Sequence, residues 1–254
     1  MHCFKKFIFI LISILIIVNV SAQQSFEPPV VDLLVFCDKY IAGELDNDLG
    51  YSHMFLKRDA FRIWGWSGNG NVAYTITDSQ NWRGAVITNA VILNLVTDQI
   101  VWQGRIVSDE HYDEMTRIDN YRNAYTAFID EFSSMCRISG IEGVQTGFSP
   151  FPAIHNGTSF NVAVKTTLNP VWNADSDITK KILEYTVIAE RGSRQKTIGT
   201  VNNPESARSV VPCGFFISPF EDRAMVVVAH FEYMLEAECW VSYHFFGCHM
   251  TAGF

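Results

Sequence analysis

Two overlapping glycine motifs contain residue types that bind cofactors or catalyse reactions in other structural contexts. Residues 68–73 match G-x-G-x-x-A, in which a glycine turn brings a dinucleotide phosphate to the N-terminus of a helix. Residues 65–69 approach G-x-S-x-G, in which a strained strand-to-helix turn exposes a nucleophilic serine. Here Asn69 replaces the last glycine, and residues 71–76 alternate as a strand does. We therefore predict a hairpin turn capped by Ser67, with no nucleophile and no bound cofactor.

Two other groups of residues have side chains that coordinate metals. Residues 44–50 hold three carboxylates, which suit calcium, but an EF-hand loop counted from the first aspartate would need an acid where Lys57 stands. His244, Cys248 and His249 form a single close group, whereas zinc sites usually combine two spaced pairs of ligands. We therefore predict a solvated acidic loop and structural histidines, and we assign no metal and no cofactor.

The composition excludes several classes of function. The chain has 27 acidic residues against 19 lysines and arginines, a formal net charge of −8, which argues against a general nucleic-acid binder. Apolar residues make up 48% of the chain and charged residues 18%, which excludes a mainly disordered protein. A glycosidase pair cannot be chosen among 27 acids, because its two carboxylates come from distant positions. The sequence leaves enzymatic activity undecided and favours a non-catalytic protein.

The first residues of the chain have the pattern of a secretory signal peptide. Lys5 and Lys6 precede an apolar run at residues 7–18, and the A-x-A-like sequence Val20-Ser21-Ala22 follows. The run is shorter than the roughly 20 residues of a membrane span, and an uncleaved N-terminal anchor is the alternative. We expect cleavage after Ala22 and export to the periplasm or beyond the cell. Residues 23–254 would then form one soluble domain without a membrane span.

The cysteines that follow the signal peptide are odd in number. Five cysteines follow Ala22, so at least one stays unpaired within the chain. An exported protein can form disulfides. Cys239 and Cys248 are the candidate pair, since they could face each other across a hairpin. Buried free thiols are an equal or better interpretation, because an unpaired cysteine behaves as a small apolar residue.

Most of the remaining chain has the pattern of short β-strands. Between residues 158 and 168, apolar Phe160 and Val162 alternate with polar neighbours, which is typical of a half-buried strand. The strand predicted at residues 224–231 begins with an apolar run and should be central, with His230 as a core or edge histidine. Gly192 supplies a hairpin turn. The other predicted strands lie near residues 51–56, 61–67, 71–76, 85–95, 100–107, 181–190, 196–201, 210–217 and 239–246.

One segment has helical periodicity instead. Apolar residues between positions 109 and 137 recur at steps of three and four, which places them on one stripe of an amphipathic helix. Ser108 is a suitable N-cap, Arg137 lies in the last turn, and Gly140 follows as a stop signal. We expect this helix to lie on a sheet as a brace. The predicted fold is mainly β and antiparallel, with propeller-like or open β-meander sheets, and the alternative is a β-sandwich.

Two stretches of the sequence share a strand–turn–strand pattern. The first contains W-S-G-N-G-N-V-A-Y at residues 66–74 and I-L-N-L-V-T-D at residues 92–98, and the second is I-S-P-F-E-D-R-A-M-V-V-V. Residues 63–102 and 217–228 thereby resemble blades of TolB-type or WD40-like β-propellers. The chain is also similar to small uncharacterised bacterial secreted proteins that carry such segments. The resemblance implies blade-like sheets and brings no established activity.

A polar loop at residues 78–84 contains the most suggestive surface residues. Trp82 and Arg83 lie there between two predicted strands, and exposed aromatic–arginine pairs often anchor proteins or sugars. The alternative is that Trp82 folds back onto the sheet. We expect an exported, non-catalytic β-domain with a binding or structural role at the bacterial envelope, whose partner is a protein or a glycan. The alternative is a hydrolase of envelope or extracellular polymers with unassigned residues, and the oligomeric state stays open.

Overall fold

The computed structural model of the chain describes residues 28–37, 59–78, 85–108, 117–171, 181–204, 207–233 and 239–254. The predicted signal peptide, the acidic loop at residues 44–50, the strand predicted near residues 51–56, and both Trp82 and Arg83 lie outside these ranges. Within them, the chain forms twelve strands and one helix. The strands are β1 (Ala60–Trp66), β2 (Asn71–Asp78), β3 (Ile87–Asn94), β4 (Gln99–Val107), β5 (Phe148–Ser149), β6 (Ala153–His155), β7 (Thr158–Leu168), β8 (Ile182–Arg191), β9 (Arg194–Asn202), β10 (Ala207–Ile217), β11 (Arg223–Tyr233) and β12 (Cys239–His249), and the helix is α1 (Arg117–Ile138).

The strands form three antiparallel sheets of four strands each. Sheet I contains β1-β2-β3-β4, sheet II contains β12-β11-β10-β5, and sheet III contains β6-β7-β8-β9. Most neighbours in a sheet are also neighbours in the chain, which is the β-meander arrangement. The prediction of a mainly β, antiparallel fold is confirmed. Three sheets also distinguish the fold from a two-sheet sandwich, while the propeller-like form stays a prediction.

Tight turns join the strands where the sequence contains residues that tolerate positive φ. Asn156 and Gly157 connect β6 to β7 with φ of 49° and 71°, values that suit a type I′ hairpin turn. Gly192 has φ of 58° in the turn between β8 and β9, so the hairpin predicted there is confirmed. Side chains with a Cβ rarely adopt this conformation, and local sequence therefore determines where these strands end.

The alternation of apolar and polar residues predicted the long strands but not the two shortest ones. β7 spans Thr158–Leu168, as predicted, and Phe160 and Val162 are buried on its inner face. β5 and β6 contain only two and three residues, too few to show a period of two. Their pairing with longer strands places them in the sheets: β5 pairs with β10, and β6 pairs with β7.

Sheet II is the central layer of the protein. Along β11, Met225 and Val227 belong to a core shared with sheet I, whereas Val226 and Val228 belong to a core shared with sheet III. All four side chains have no exposed surface. The prediction that this apolar strand is covered on both faces is therefore confirmed, and its continuous apolar run follows from having two cores to fill.

Aromatic rings fill much of both cores. Between sheets I and II, the Phe61 ring lies 5.6 Å from the Phe216 ring. Between sheets II and III, the Phe160 and Phe215 rings meet edge to face at 5.4 Å. Residues 28–37 close one side of the first core by inserting Leu33 and Leu34 into it. Buried aromatic pairs contribute about 0.5–1.5 kcal/mol beyond the area they remove from water, so these contacts help to hold the layers together.

The helix α1 packs on the outer face of sheet I. Phe132 is fully buried there, stacked on Trp102 at 5.5 Å and edge-on to Trp64 at the same distance. Ala73 and Ala90 lie beneath it and leave room for the rings. The prediction of a helix that braces a sheet is confirmed, and its end at Ile138 lies one residue from the predicted boundary. The predicted start, near residue 109, lies outside the described residues.

The positions of Cys239 and Cys248 contradict the predicted disulfide between them. Both residues lie in β12, one at its start and the other near its end. An extended strand advances about 3.3 Å per residue, which places the two positions roughly 30 Å apart. A disulfide requires Cα atoms within about 7 Å of each other. The predicted pairing within one chain is wrong, because the segment expected to turn back is one continuous strand.

Candidate functional site

The hairpin turns of the three sheets meet along one border of the protein, which we call the hairpin edge. It consists of the turns at residues 67–70 and 95–98 of sheet I, 218–222 of sheet II and 156–157 of sheet III. At Gly70, a Cβ atom would lie 2.7 Å from the Val96 side chain and 3.2 Å from Glu221 Oε1. The turns of sheets I and II are therefore in close contact, although they are far apart in the chain.

The turn between β1 and β2 has the structure expected of a capped hairpin. The Ser67 hydroxyl accepts a hydrogen bond of 3.0 Å from the backbone N–H of Asn71. Gly70 adopts φ of 85°, and the strand β2 follows at once. The capping role predicted for Ser67 is confirmed. Both glycine motifs require a helix after the turn, to bind a phosphate at its N-terminus or to expose a nucleophile. A strand follows this turn instead, so neither motif has its required context.

Polar side chains at the hairpin edge join sheet I to sheet II. Arg223 Nη1 donates to the carbonyl oxygen of Leu95 at 3.0 Å. The backbone N–H of Gly247 donates to Asp98 Oδ1 at 2.6 Å. Burial raises the pKa of Asp98 above its usual value. The hydrogen bond from the Gly247 N–H and the positive charge of Arg223 offset only part of this effect. The contacts connect residues more than one hundred positions apart and fix how the two sheets meet.

A second set of polar contacts joins sheet II to sheet III. Asp222 Oδ1 lies 2.5 Å from His155 Nε2, and Asp222 Oδ2 accepts a hydrogen bond from the Thr251 hydroxyl. Burial raises the pKa of Asp222, but the hydrogen bonds from Thr251 and His155 outweigh it and hold the pKa below its usual value. Asp222 therefore stays ionised at neutral pH and anchors both neighbours.

Lys196 fixes the last residues of the chain beside this network. Its ammonium donates to the carbonyl oxygens of His249 and Ala252 and lies 4.2 Å from the centre of the Phe254 ring. Burial lowers its pKa, and nearby Cys248 opposes that effect. Lysine is a compact donor with three N–H groups, so this one side chain can hold both carbonyls of the C-terminal stretch at once.

Three exposed apolar side chains lie in or beside the turns of the hairpin edge. Val96 is 56% exposed, Phe220 is 41% exposed and Ile154 is 74% exposed, and the three belong to sheets I, II and III respectively. Val96 follows Leu95 and Ile154 precedes His155, two residues of the framework described above, and Phe220 lies two positions before Asp222. Side-chain hydrogen bonds to their backbone N–H groups hold Val96 and Phe220 in their turns, and Ile154 is held by the strand β6.

A separate polar cluster lies between sheets II and III and consists of Tyr185, His230 and His244. The Tyr185 hydroxyl is hydrogen-bonded to His230 Nε2 and, at 3.0 Å, to His244 Nδ1. The two imidazole rings lie 4.2 Å apart between their centres. Tyr185 has no exposed surface, and His230 is only 2% exposed. The prediction of a satisfied core histidine at position 230 is confirmed, and Tyr185 is the partner that the sequence did not indicate.

The electrostatics of the tyrosine–histidine cluster favour its neutral form. Burial, with a smaller contribution from the charge of His244, lowers the pKa of His230 from 6.5 to about 3. Burial also lowers the pKa of His244 and raises that of Tyr185. At neutral pH the hydroxyl can donate to one imidazole and accept from the other. The arrangement is a closed hydrogen-bond network, poorly suited to a charged catalytic base.

Hydroxyl, imidazole and carboxylate groups also meet at the hairpin edge, but in a different order from a catalytic triad. In a triad the imidazole lies between the hydroxyl and the carboxylate. Here the carboxylate of Asp222 lies between Thr251 and His155. The Nδ1 atom of His249 is 3.4 Å from the Thr251 hydroxyl, but it already accepts the backbone N–H groups of Thr251 and Ala252. This network is suited to holding the edge in place.

The structure separates the three C-terminal residues that the sequence grouped together. His244 belongs to the tyrosine–histidine cluster, Cys248 is buried between sheets II and III, and His249 faces the hairpin edge. Among the described residues, no group of three or more histidine, cysteine or acidic side chains could hold a metal ion. Trp82 and Arg83, the predicted partner-binding pair, lie outside those residues. The hairpin edge itself was not predicted, because it depends on which sheets are neighbours.

Comparison of the chain with models of known protein families, with curated proteins and with solved structures finds no match. In the part of the chain that the structure covers, no helix is both long and apolar enough to cross a membrane.

Proposed function

We propose that this protein is an exported, non-catalytic β-domain that has a binding role at the bacterial envelope. The proposed compartment is the periplasm or the cell exterior, which rests on the signal-peptide pattern of residues 1–22. The proposed binding surface is the hairpin edge. Binding residues commonly lie on loops that a rigid scaffold positions, and the three sheets are such a scaffold.

The observation that supports binding is the exposure of three apolar side chains in or beside the hydrogen-bonded turns of the hairpin edge, Val96, Phe220 and Ile154. Turns are usually polar at their tips, whereas two of these turns carry exposed Val96 and Phe220, and exposed apolar side chains in one region are typical of interaction sites. A protein partner fits this surface better than a glycan does. Glycan sites rely on flat aromatic rings and on polar side chains, whereas two of these three side chains are aliphatic.

Export is tested by the N-terminus of the protein in the cell. We expect the exported protein to begin at Gln23, so that its intact mass lacks the first 22 residues. N-terminal sequencing and mass measurement on the periplasmic and culture fractions check this. A full-length chain retained in the membrane fraction would support the uncleaved anchor instead, and a full-length cytoplasmic chain would contradict export.

Binding is tested with a double variant of the hairpin edge, Phe220→Ser with Ile154→Ser, and a control variant, Leu168→Ser. Leu168 is 56% exposed, like the edge residues, but it is the last residue of β7, at the opposite end of sheet III from the turn at residues 156–157. We expect an envelope protein retained by the wild type to bind the edge variant about tenfold or more weakly, because each truncated anchor costs about 1 kcal/mol or more. The control should bind as the wild type does.

The measurement is affinity capture from envelope extracts, followed by titration of the captured protein against the three chains. Equal affinity of the edge variant and the wild type would contradict the proposed surface. Retention of purified envelope polysaccharide with no protein component would contradict the protein partner and support a glycan.

A further inference from the structure

Two cysteines that are far apart in the sequence meet in the core between sheets I and II. Cys37 lies at the end of the segment 28–37, and Cys213 lies in β10, 176 positions later. They are 3% and 2% exposed, and both belong to the same buried cluster. The two side chains are hydrogen-bonded to each other, which places their sulfur atoms within hydrogen-bonding distance.

The backbone at both positions departs from regular strand geometry and places both cysteines in this core. Cys213 is the extra residue of a β-bulge, since the pairing with β11 passes from Pro212 directly to Gly214. A bulge re-aims a side chain without ending the strand. Cys37 lies in a turn in which its own backbone N–H donates to the carbonyl oxygen of Leu34 at 2.8 Å. Leu34 is itself buried in this core.

No other pair among the cysteines with described side chains shares a core. Cys136 packs between α1 and sheet I, and Cys248 packs between sheets II and III. Of the cysteines whose side chains the structure describes, only Cys37 and Cys213 belong to the same cluster. The structure therefore selects one pairing, which the irregular spacing of the cysteines in the sequence did not indicate.

We propose that Cys37 and Cys213 form a disulfide that ties the segment 28–37 to the central sheet. The oxidant is a small-molecule or protein disulfide. One cysteine thiolate attacks it and forms a mixed disulfide with release of one thiol, and the second thiolate then displaces the other thiol. The Cys37–Cys213 bond forms, the donor disulfide breaks, and the two protons of the cysteine thiols pass to the two released thiolates.

The surroundings of the pair determine when this reaction takes place. The hydrogen bond with Cys37 and burial hold the pKa of Cys213 well above its usual value. Thiolates are the reacting species, so the folded core oxidises slowly. The bond therefore forms during folding, before the core closes. In the cell, formation of the Cys37–Cys213 disulfide rests on the export proposed above. In a glutathione buffer the same bond can form during refolding without export.

The first experiment maps the bond in the exported protein. The full chain is expressed, purified from the exported fraction, alkylated under denaturing conditions and digested for mass spectrometry. We expect residues 37 and 213 in one cross-linked peptide pair that is lost on reduction, with less than about a tenth of either thiol alkylated. Cys136 and Cys248 are the internal controls and should be fully alkylated. Alkylation of Cys37 and Cys213 as complete as that of Cys136 would contradict a disulfide in the cell.

The second experiment separates the pairing from export. The protein is refolded with reduced and oxidised glutathione and mapped in the same way, and Cys136→Ala is compared with Cys37→Ala. We expect the cross-link in the wild type and in Cys136→Ala, and a fall in Tm of about 5 °C or more when it is reduced, because a long loop is released. Free Cys37 and Cys213 after refolding would overturn the proposal, whether or not the Cys37→Ala chain folds.

Discussion

Lowering the pH from 7 to 4 should reduce the free energy of unfolding by up to about 3 kcal/mol through His230 alone. Its folded-state pKa is lowered from 6.5 to about 3. Between those two values the unfolded chain binds a proton that the folded chain does not, so stability rises with pH in this window. The stabilisation is complete above about pH 6.5 and is lost progressively as the pH falls toward 3. His244, whose pKa is also lowered, contributes in the same direction.

The control for this pH dependence is His230→Gln. The glutamine amide can still hydrogen-bond the Tyr185 hydroxyl but does not titrate. We expect it to be less stable than the wild type at pH 7, because the imidazole packing is lost, and to lose clearly less stability between pH 7 and pH 4. Urea unfolding at pH 7, 6, 5 and 4 measures both curves. Parallel curves for the two proteins would show that His230 is not the titrating group.

Replacing Gly247 by alanine should destabilise the protein by about 3 kcal/mol or more. An added Cβ would lie 1.8 Å from the carbonyl oxygen of Leu95, far closer than a non-bonded carbon atom approaches an oxygen. The obstacle is backbone and not a flexible side chain, so sheet II would have to move away from sheet I. That movement would also stretch the bond from Gly247 N–H to Asp98 and the bond from Arg223 to Leu95.

Gly68→Ala is the matched control for this variant. Gly68 lies in the same hairpin edge, but a Cβ there would meet no atom within 4 Å, and its φ is not positive. We expect its stability to stay within about 0.5 kcal/mol of the wild type. The midpoint of urea unfolding measures both variants. A Gly247→Ala protein as stable as the Gly68→Ala protein would mean that the two sheets do not approach closely at this position.

The strands and turns of this protein could be predicted because their causes are local. Phe160 and Val162 alternate with polar residues and form β7 where expected. Ser67 and Gly192 have the turn roles that their side chains favour. The disulfide between Cys239 and Cys248 could not be judged in the same way, because it depended on whether the segment between them turns. A strand of eleven residues forms there instead.

The functional candidates depend on contacts between sheets, which local patterns do not contain. His230 could be interpreted as a buried histidine, but its hydrogen bond to Tyr185 joins positions 45 residues apart. Arg223 contacts Leu95 across 128 positions. The bulge at Cys213 reverses which side chains of β10 face each core, so alternation alone would assign the residues that follow to the wrong faces.

The amino-acid sequence alone determined the longer strands, the bracing helix, several hairpin turns and the acidic, mainly β character of the chain. Only the tertiary structure decided that sheet II lies between the other two, that the turns gather at one edge and that Cys37 meets Cys213. The reason is physical. Strand periodicity and turn geometry arise from neighbouring residues and can be read from the sequence. Contacts between distant segments close long loops, and the entropic cost of closing such a loop changes little with its length. Sequence separation therefore gives little indication of which distant segments pack together.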